Sequence, residues 1–306
     1  MARVVVAIAT FRRPQSLMRL LAALEKLETR AEVTVIVADN DCEKHEGFDA
    51  CEGLRNYRWP LDRFIAPERG IANVRNALVE RALGHDCDFI AMLDDDEWPD
   101  AHWLDAFLRA QAETGADALH GCILREFELP PGRIAASLDG IRPMHGVTGA
   151  VEMIPGTGNV FFRRACFEEA AKPCFDPAFA LCGGEDSDFF ERLRRQGRSF
   201  AWCEDAVVHA WVPVSRANLG WALARAYSVG NSDMRVFLKY RRTPAAHAAE
   251  IAKIAAALLL SPLLFVILGG VSNRAVDALR KLFRAAGKIA AFRGRHYQEY
   301  TVIHGA

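Results

Sequence analysis

Four consecutive acids, Asp94-Asp95-Asp96-Glu97, close the apolar run Phe89-Ile90-Ala91-Met92-Leu93 and are stopped by Trp98-Pro99. Carboxylates packed this densely repel one another unless a cation sits among them. Oxygen ligands on a short turn suit a hard divalent ion, Mg²⁺ or Mn²⁺, and through it a bound diphosphate. The same residues also read as a solvated turn that caps the next helix through Asp100. A second acidic pair, Glu185-Asp186, follows Gly183-Gly184 and opens a stretch that runs to Gln196-Gly197. Acids at a helix start stabilise its dipole, and a carboxylate opposite a metal-bound diphosphate is also placed to act as a general base.

Smaller groups carry weaker chemistry. Asp39-Asn40-Asp41 ends a strand-like run, where nucleotide-binding α/β folds contact a base or ribose; it is equally ordinary turn chemistry. Arg69 and Arg75 are spaced to neutralise a diphosphate, or to pair with Asp94–Asp96 and hold them. Gly156-Thr157-Gly158-Asn159 permits close backbone approach to a ligand and also makes a plain tight turn. His209 stands in an apolar strand, where a lone histidine is more often a satisfied core residue than a ligand.

The elements that must hold these groups alternate. Arg3–Ala9 reads as a first strand and Ser16–Leu27 as a helix with leucines at helical spacing. Val33–Ala38 is a second strand, and strand–helix–strand order predicts a parallel unit. A short strand at 63–66, a helix at 71–83, the buried strand ending at Leu93, a helix at 101–114 and a strand at 117–124 follow. Residues 125–150 are an excursion rich in glycine and proline, and 206–211 reads as a strand. Ligand sites in open α/β sheets lie beyond the carboxyl ends of the strands, which is where the acids fall.

The chain has 306 residues, 51% of them hydrophobic, and a formal net charge of -1. Length allows one large domain plus an appendage, and the balanced charge gives no reason to expect nucleic acid. Eight scattered cysteines lack the spacing of a zinc site and, with no secretion signal ahead of them, read as reduced cytosolic thiols. Beyond 212 the sequence turns helical. Residues 254–272 carry no charge, interrupted by Pro262, which is borderline for a span. Arg241, Arg242 and Lys253 flank this segment on one side, and Arg274, Arg280, Lys281, Arg284 and Lys288 on the other. A single span would set one basic flank outside, so a re-entrant or in-plane element is expected. Val276, Leu279, Phe283 and Ile289 form an apolar face opposite basic residues within 273–292, consistent with lying on a membrane surface. The alternative is a buried helix pair.

In order, Thr10-Phe11-Arg12-Arg13-Pro14, Asp39-Asn40-Asp41, Arg69-Gly70 with Arg75-Asn76, Leu93-Asp94-Asp95-Asp96-Glu97, Gly158-Asn159, Gly184-Glu185-Asp186 with Arg192-Leu193, and His209 resemble the family 2 glycosyltransferases. The resemblance covers about the first 212 residues and is nearest to bacterial exopolysaccharide enzymes of the succinoglycan type. It implies an α/β GT-A fold, a mainly parallel mixed sheet flanked by helices, with a nucleotide-binding half at about 1–98 and an acceptor half at about 99–212. The C-terminal part, 213–306, would associate with the membrane. By resemblance, Thr10, Arg12, Asp39, Arg69, Arg75, Asp94 and Asp95 would hold a nucleotide sugar, most naturally a UDP-sugar. Asp96, or Asp95 in its place, would hold Mg²⁺ or Mn²⁺ with His209. Gly158 and Asn159 would line the sugar and acceptor pocket, and Asp186 or Glu185 would be the base. The implied reaction is inverting transfer to a glycan, of the polyprenyl-diphosphate-linked kind, at the cytoplasmic side of the inner membrane through 254–292. Two other readings are a nucleotidyltransferase and a non-catalytic nucleotide-sugar binder. The first wants a glycine- and lysine-bearing loop after strand one, which Thr10–Pro14 lacks; the second predicts that one acidic cluster is lost, and both are present.

Overall fold

Strands with apolar residues on both faces bury themselves by pairing in parallel beneath helices, and the first half of the chain does so. The computed structural model describes residues 1–130, 146–240, 243–268 and 273–299. Arg3–Thr10 (β1) pairs in parallel with Glu32–Asp39 (β2), Val4 opposite Val33 and Thr10 opposite Asp39. On its other side β1 pairs in parallel with Phe89–Asp94 (β4), Ala9 opposite Asp94. Leu61–Ile65 (β3) adds to β2, also in parallel. This register brings Thr10, Asp39 and Asp94 together at the carboxyl ends of the parallel strands.

The second half is mixed. Val160–Arg163 (β8) runs antiparallel between β4 and Ala118–Phe127 (β6), and Phe200–Val212 (β9) runs parallel to β6. Two three-residue strands, Glu97–Pro99 (β5) and Gly149–Val151 (β7), both pair antiparallel with β9. The order across the sheet is β3-β2-β1-β4-β8-β6-β9-β5.

Helices cover both faces. On one, Pro14–Leu24 (α1) buries Leu17, Leu20, Leu21 and Leu24 beside Trp103 and Phe107 of Trp103–Thr114, which is α4. Between them in sequence lie the short Glu46–Ala50 (α2) and Ile71–Leu83 (α3). On the other face α3 packs with Phe162, Phe167 of Ala165–Glu168 (α5), Phe175, and Phe189 and Phe190 of Glu185–Arg195 (α6). Full burial of each such side chain contributes about 1.5–3 kcal/mol. All eight cysteines are free, seven of them buried.

Among the described residues the C-terminal part forms three helices: Leu219–Tyr240 (α7), Pro244–Ile267 (α8) and Asn273–Phe292 (α9). The α7 and α9 backbones touch where both carry glycine. A Cβ on Gly230 would lie 2.0 Å from the Arg284 carbonyl oxygen, and one on Gly287 the same distance from that of Tyr227. Of the α9 residues expected to lie on a membrane, Val276 is buried, Leu279 and Ile289 are half-buried and Phe283 is exposed. Ala275, Val276, Ala278, Ala285 and Ala291 are buried, and Val276 packs on Ala222 and Trp221. Helix α8 keeps its apolar surface outward: Leu259 is 75% exposed, Leu263 55%, Val266 74% and Ile267 67%. It is apolar and long enough to cross a membrane, and is not the buried pair of the alternative reading. Arg241, Arg242 and the stretches 131–145 and 269–272 lie outside the described residues.

Candidate active site

The acidic turn sits where β4 leaves the sheet and β5 begins. Thr10, at the end of β1, donates its hydroxyl to Asp95 Oδ2 at 2.9 Å. Arg13 Nη1 donates to Asp95 Oδ1 at 2.9 Å and Asp96 Oδ2 at 3.2 Å. Arg216, 120 residues further along the chain than Asp96, donates to the same Asp96 oxygen at 2.9 Å. Glu97 folds back so that its Oε2 accepts the Asp94 N–H at 3.1 Å. Gly158 presses against this turn; a Cβ there would meet Glu97 Oε1 at 2.8 Å and Asp94 Oδ2 at 3.1 Å, so any larger residue would displace the two carboxylates. Burial pushes the Asp95 carboxyl up to about 6 even though the Arg13 guanidinium opposes it, and burial also pushes Glu97 well above its usual range.

Arg75 of α3 joins the two acidic clusters. Its Nη1 bonds Glu185 Oε1, and its Nη2 reaches Asp94 Oδ1 at 3.4 Å. Glu185 is 1% exposed, and its Oε2 has no partner. Burial raises its carboxyl to about 7 against the pull of Arg75. Asp186 is half-buried and faces the cavity. Its Oδ1 accepts from the Ser187 N–H at 2.6 Å, while Oδ2 lies 3.4 Å from where a Cβ on Gly156 would be. The left-handed glycines ahead of it, Gly183 and Gly184, at φ 75 and 94, abut α7. Ser232 there donates its hydroxyl to the Gly183 carbonyl at 3.0 Å.

Asp186 lines one cavity of 680 Å³, together with Thr10, Arg69, Arg75, the Asp94–Glu97 turn and Gly158, whereas Glu185 is not part of its wall. Arg69 lies 4.9 Å from the Phe11 ring centroid. Four other expected residues are not among its lining. Asp39 is fully buried, and its oxygens accept the N–H groups of Asp41, Gly47 and Phe48 at 2.8–2.9 Å. Arg12 pairs with Asp41 at 2.6 Å and with Glu43. Asn159, at φ 51, spends its side chain on the Cys122 and Ala206 carbonyls and on Trp103 Nε1. His209 is gripped by Glu126 and Asp100, both at 3.0 Å, and stacks on Trp98. The lining also includes residues that sequence reasoning did not single out: Arg13, Asn40, Thr157, Arg216 and, from beyond α9, Tyr297 and Glu299. Arg13 and Asn40 stood inside quoted motifs. Nothing local marks Arg216 or the C-terminal pair.

Among the described residues no three His, Cys, Asp or Glu side chains converge as a complete metal cage. The donor set is oxygen only, on one turn at the cavity wall. That fits a hard divalent ion held by one or two carboxylates and completed by phosphate oxygens.

Comparison with known proteins follows the same lines. The family model described as glycosyl transferase family 2 matches residues 5–169. The succinoglycan biosynthesis protein ExoM of Rhizobium meliloti (strain 1021) is 33% identical over 236 residues, 76% of this chain and 74% of that protein. Among solved structures, S. aureus TarS 1-349 in complex with UDP-GlcNAc covers 97% of this chain and 93% of its own, with a TM-score of 0.56 and 15% identity. GalNAc-T7 with UDP, GalNAc and Mn²⁺ covers 76% of this chain and 51% of its own, with a TM-score of 0.56 and 13% identity. At those identities the structural likeness concerns the fold alone.

Proposed function

This chain belongs to glycosyl transferase family 2 and has its GT-A fold, and from that premise we propose that it transfers a hexosyl group from a UDP-sugar to a glycan hydroxyl with inversion. The observation that carries the reading is the meeting of two acidic clusters at one cavity, the Asp94–Asp96 turn and Asp186, with Arg75 between them. The TarS structure with UDP-GlcNAc and the GalNAc-T7 structure with UDP support the donor class.

In this reading Thr10, Asn40, Arg69 and Arg75 hold the nucleotide and its diphosphate. Asp39 and Arg12 act one layer back, shaping the loop that follows β2. Asp96 and Asp94 hold Mg²⁺ or Mn²⁺, which when bound supplies positive charge for the departing nucleoside diphosphate. Arg13 and Arg216, now on Asp95 and Asp96, keep the turn in place and are near enough to share that charge. His209 is left as a strut between Glu126 and Asp100. Asp186 takes the proton from the attacking hydroxyl, a task its cavity-facing carboxylate suits. Glu185, held by Arg75, positions the start of α6 and Asp186 with it. Thr157, 2% exposed with no partner for its hydroxyl and flanked by Gly156 and Gly158, binds a hydroxyl of the donor sugar.

The chain divides into a catalytic part, 1–212, and a helical part, 213–306. In this reading the enzyme works at the cytoplasmic side of a bacterial inner membrane, beside a polyprenyl-diphosphate-linked acceptor; the exposed apolar face of α8 supports attachment to a membrane. The role of ExoM in succinoglycan biosynthesis points to exopolysaccharide assembly. The deciding experiment is nucleoside-diphosphate release and donor binding across a panel of nucleotide sugars, with Mn²⁺, with Mg²⁺ and with EDTA. Metal-dependent release from a UDP-sugar is expected, lost in Asp186→Asn once acceptor is present, with donor binding intact. Absence of metal-dependent binding of any nucleotide sugar overturns the assignments of Asp94 and Asp96.

A further inference from the structure

We propose that the segment after α9 builds a saccharide-binding subsite for the acceptor, with Glu299 as its hydrogen-bonding centre; this rests on the glycosyltransferase reading above. The chain turns at Gly294, at φ 74, and runs back along α7. Asn231 of α7, 1% exposed, pins it there. Its Oδ1 accepts the Tyr297 N–H at 3.1 Å, and its Nδ2 donates to the Arg295 carbonyl at 2.8 Å and the Gly287 carbonyl at 3.2 Å. Tyr297 and Glu299 thereby become part of the cavity wall.

Glu299 Oε1 accepts from Arg225 Nη1 at 2.7 Å, whereas Oε2 is buried with no partner. A buried carboxylate oxygen without a donor is costly, and a ligand hydroxyl would satisfy it. The same wall carries the rings of Trp202, Trp211, Trp221 and Tyr297. Apolar faces with a few convergent polar atoms orient a small ligand, and a pyranose offers both a C–H face and a rim of hydroxyls. With Arg225 neutralising its charge, Glu299 offers a hydrogen-bond acceptor to a neutral sugar. Topology agrees. Thr10 and Asn40 lie at β1 and β2, while Trp202 and Trp211 belong to β9, across β4, β8 and β6. An attacking hydroxyl must approach opposite the leaving diphosphate, hence from this far side.

The test uses the full chain, a panel of neutral disaccharides (maltose, cellobiose, lactose) titrated by saturation-transfer NMR in the presence of UDP, and UDP affinity measured in the same samples. Limited proteolysis after Arg293 and Arg295 reports whether the segment is docked. Wild type should bind at least one disaccharide. Glu299→Gln should stay protected yet bind it about 10- to 100-fold more weakly, the effect expected when a hydrogen bond to a charged group is lost. Asn231→Ala should become cleavable and lose the disaccharide, with UDP affinity unchanged in both variants. A Glu299→Gln protein that binds within twofold of wild type, or a wild type that binds UDP but no disaccharide, overturns the subsite. Failure of wild type to bind UDP overturns the functional reading instead.

Discussion

Thr157 and His120 are polar side chains buried in the cavity wall. The Thr157 hydroxyl is buried in the cavity wall without a partner, so Thr157→Val removes an unsatisfied group from the ligand-free protein and should leave its melting temperature unchanged or raised. With donor sugar bound, the same change should lower kcat/KM about 10- to 100-fold, the cost of a lost buried hydrogen bond, while UDP binds as before. A destabilised Val variant would mean the hydroxyl serves the fold instead. His120 is 4% exposed and stacks on Trp202, and burial lowers its pKa from 6.5 to about 4. In that window the unfolded chain takes up a proton that the folded chain refuses, so stability falls as pH drops from 6.5 towards 4. The loss is on the order of 3 kcal/mol. Urea unfolding at pH 7 and pH 5 should show a smaller difference for His120→Gln than for wild type. At this scale the acids were legible because charge next to an apolar strand is conspicuous. Asp39, Asn159 and His209 were legible as types, but backbone amides, two carbonyls and two carboxylates had already claimed them. Such neighbours come from distant parts of the chain, so no local spacing announces them.

Among the elements, the parallel strands were readable from their apolar runs, and the leucines of α1 point inward as their spacing predicts. The strands β5 and β7, three residues each, gave no period to detect. The amphipathic pattern of α9 was legible, but its division was not: Val276 packs on α7 while Phe283 stays exposed, since an apolar stripe does not state what covers it. The crossing with α7 offers a direct check. A Cβ on Gly287 would stand 2.0 Å from a backbone oxygen, which forces the helices apart. Gly287→Ala should therefore cost about 1–3 kcal/mol, read as a lower thermal midpoint. Because Asn231 donates to the Gly287 carbonyl, the segment bearing Tyr297 should become protease-sensitive as well.

For the whole molecule, α8 is the feature that a sheet-based enzyme in water does not need. Its outward leucines and valines form an apolar surface of the kind that marks an interaction site. Replacing Leu259, Leu263 and Val266 together by Glu should shift the protein from the membrane to the soluble fraction on sedimentation, with far-UV circular dichroism unchanged. Retention in the membrane fraction would assign attachment to another part of the chain.

The position of Tyr297 and Glu299 in the cavity wall also has a bearing on synthesis. A ribosome that has delivered every strand has not yet delivered a finished pocket. The stretch that completes the wall emerges only after α8. The apolar helix thus meets its surroundings first, and a half-made chain released into the cytosol would carry both acidic clusters but only part of the chamber in which they work.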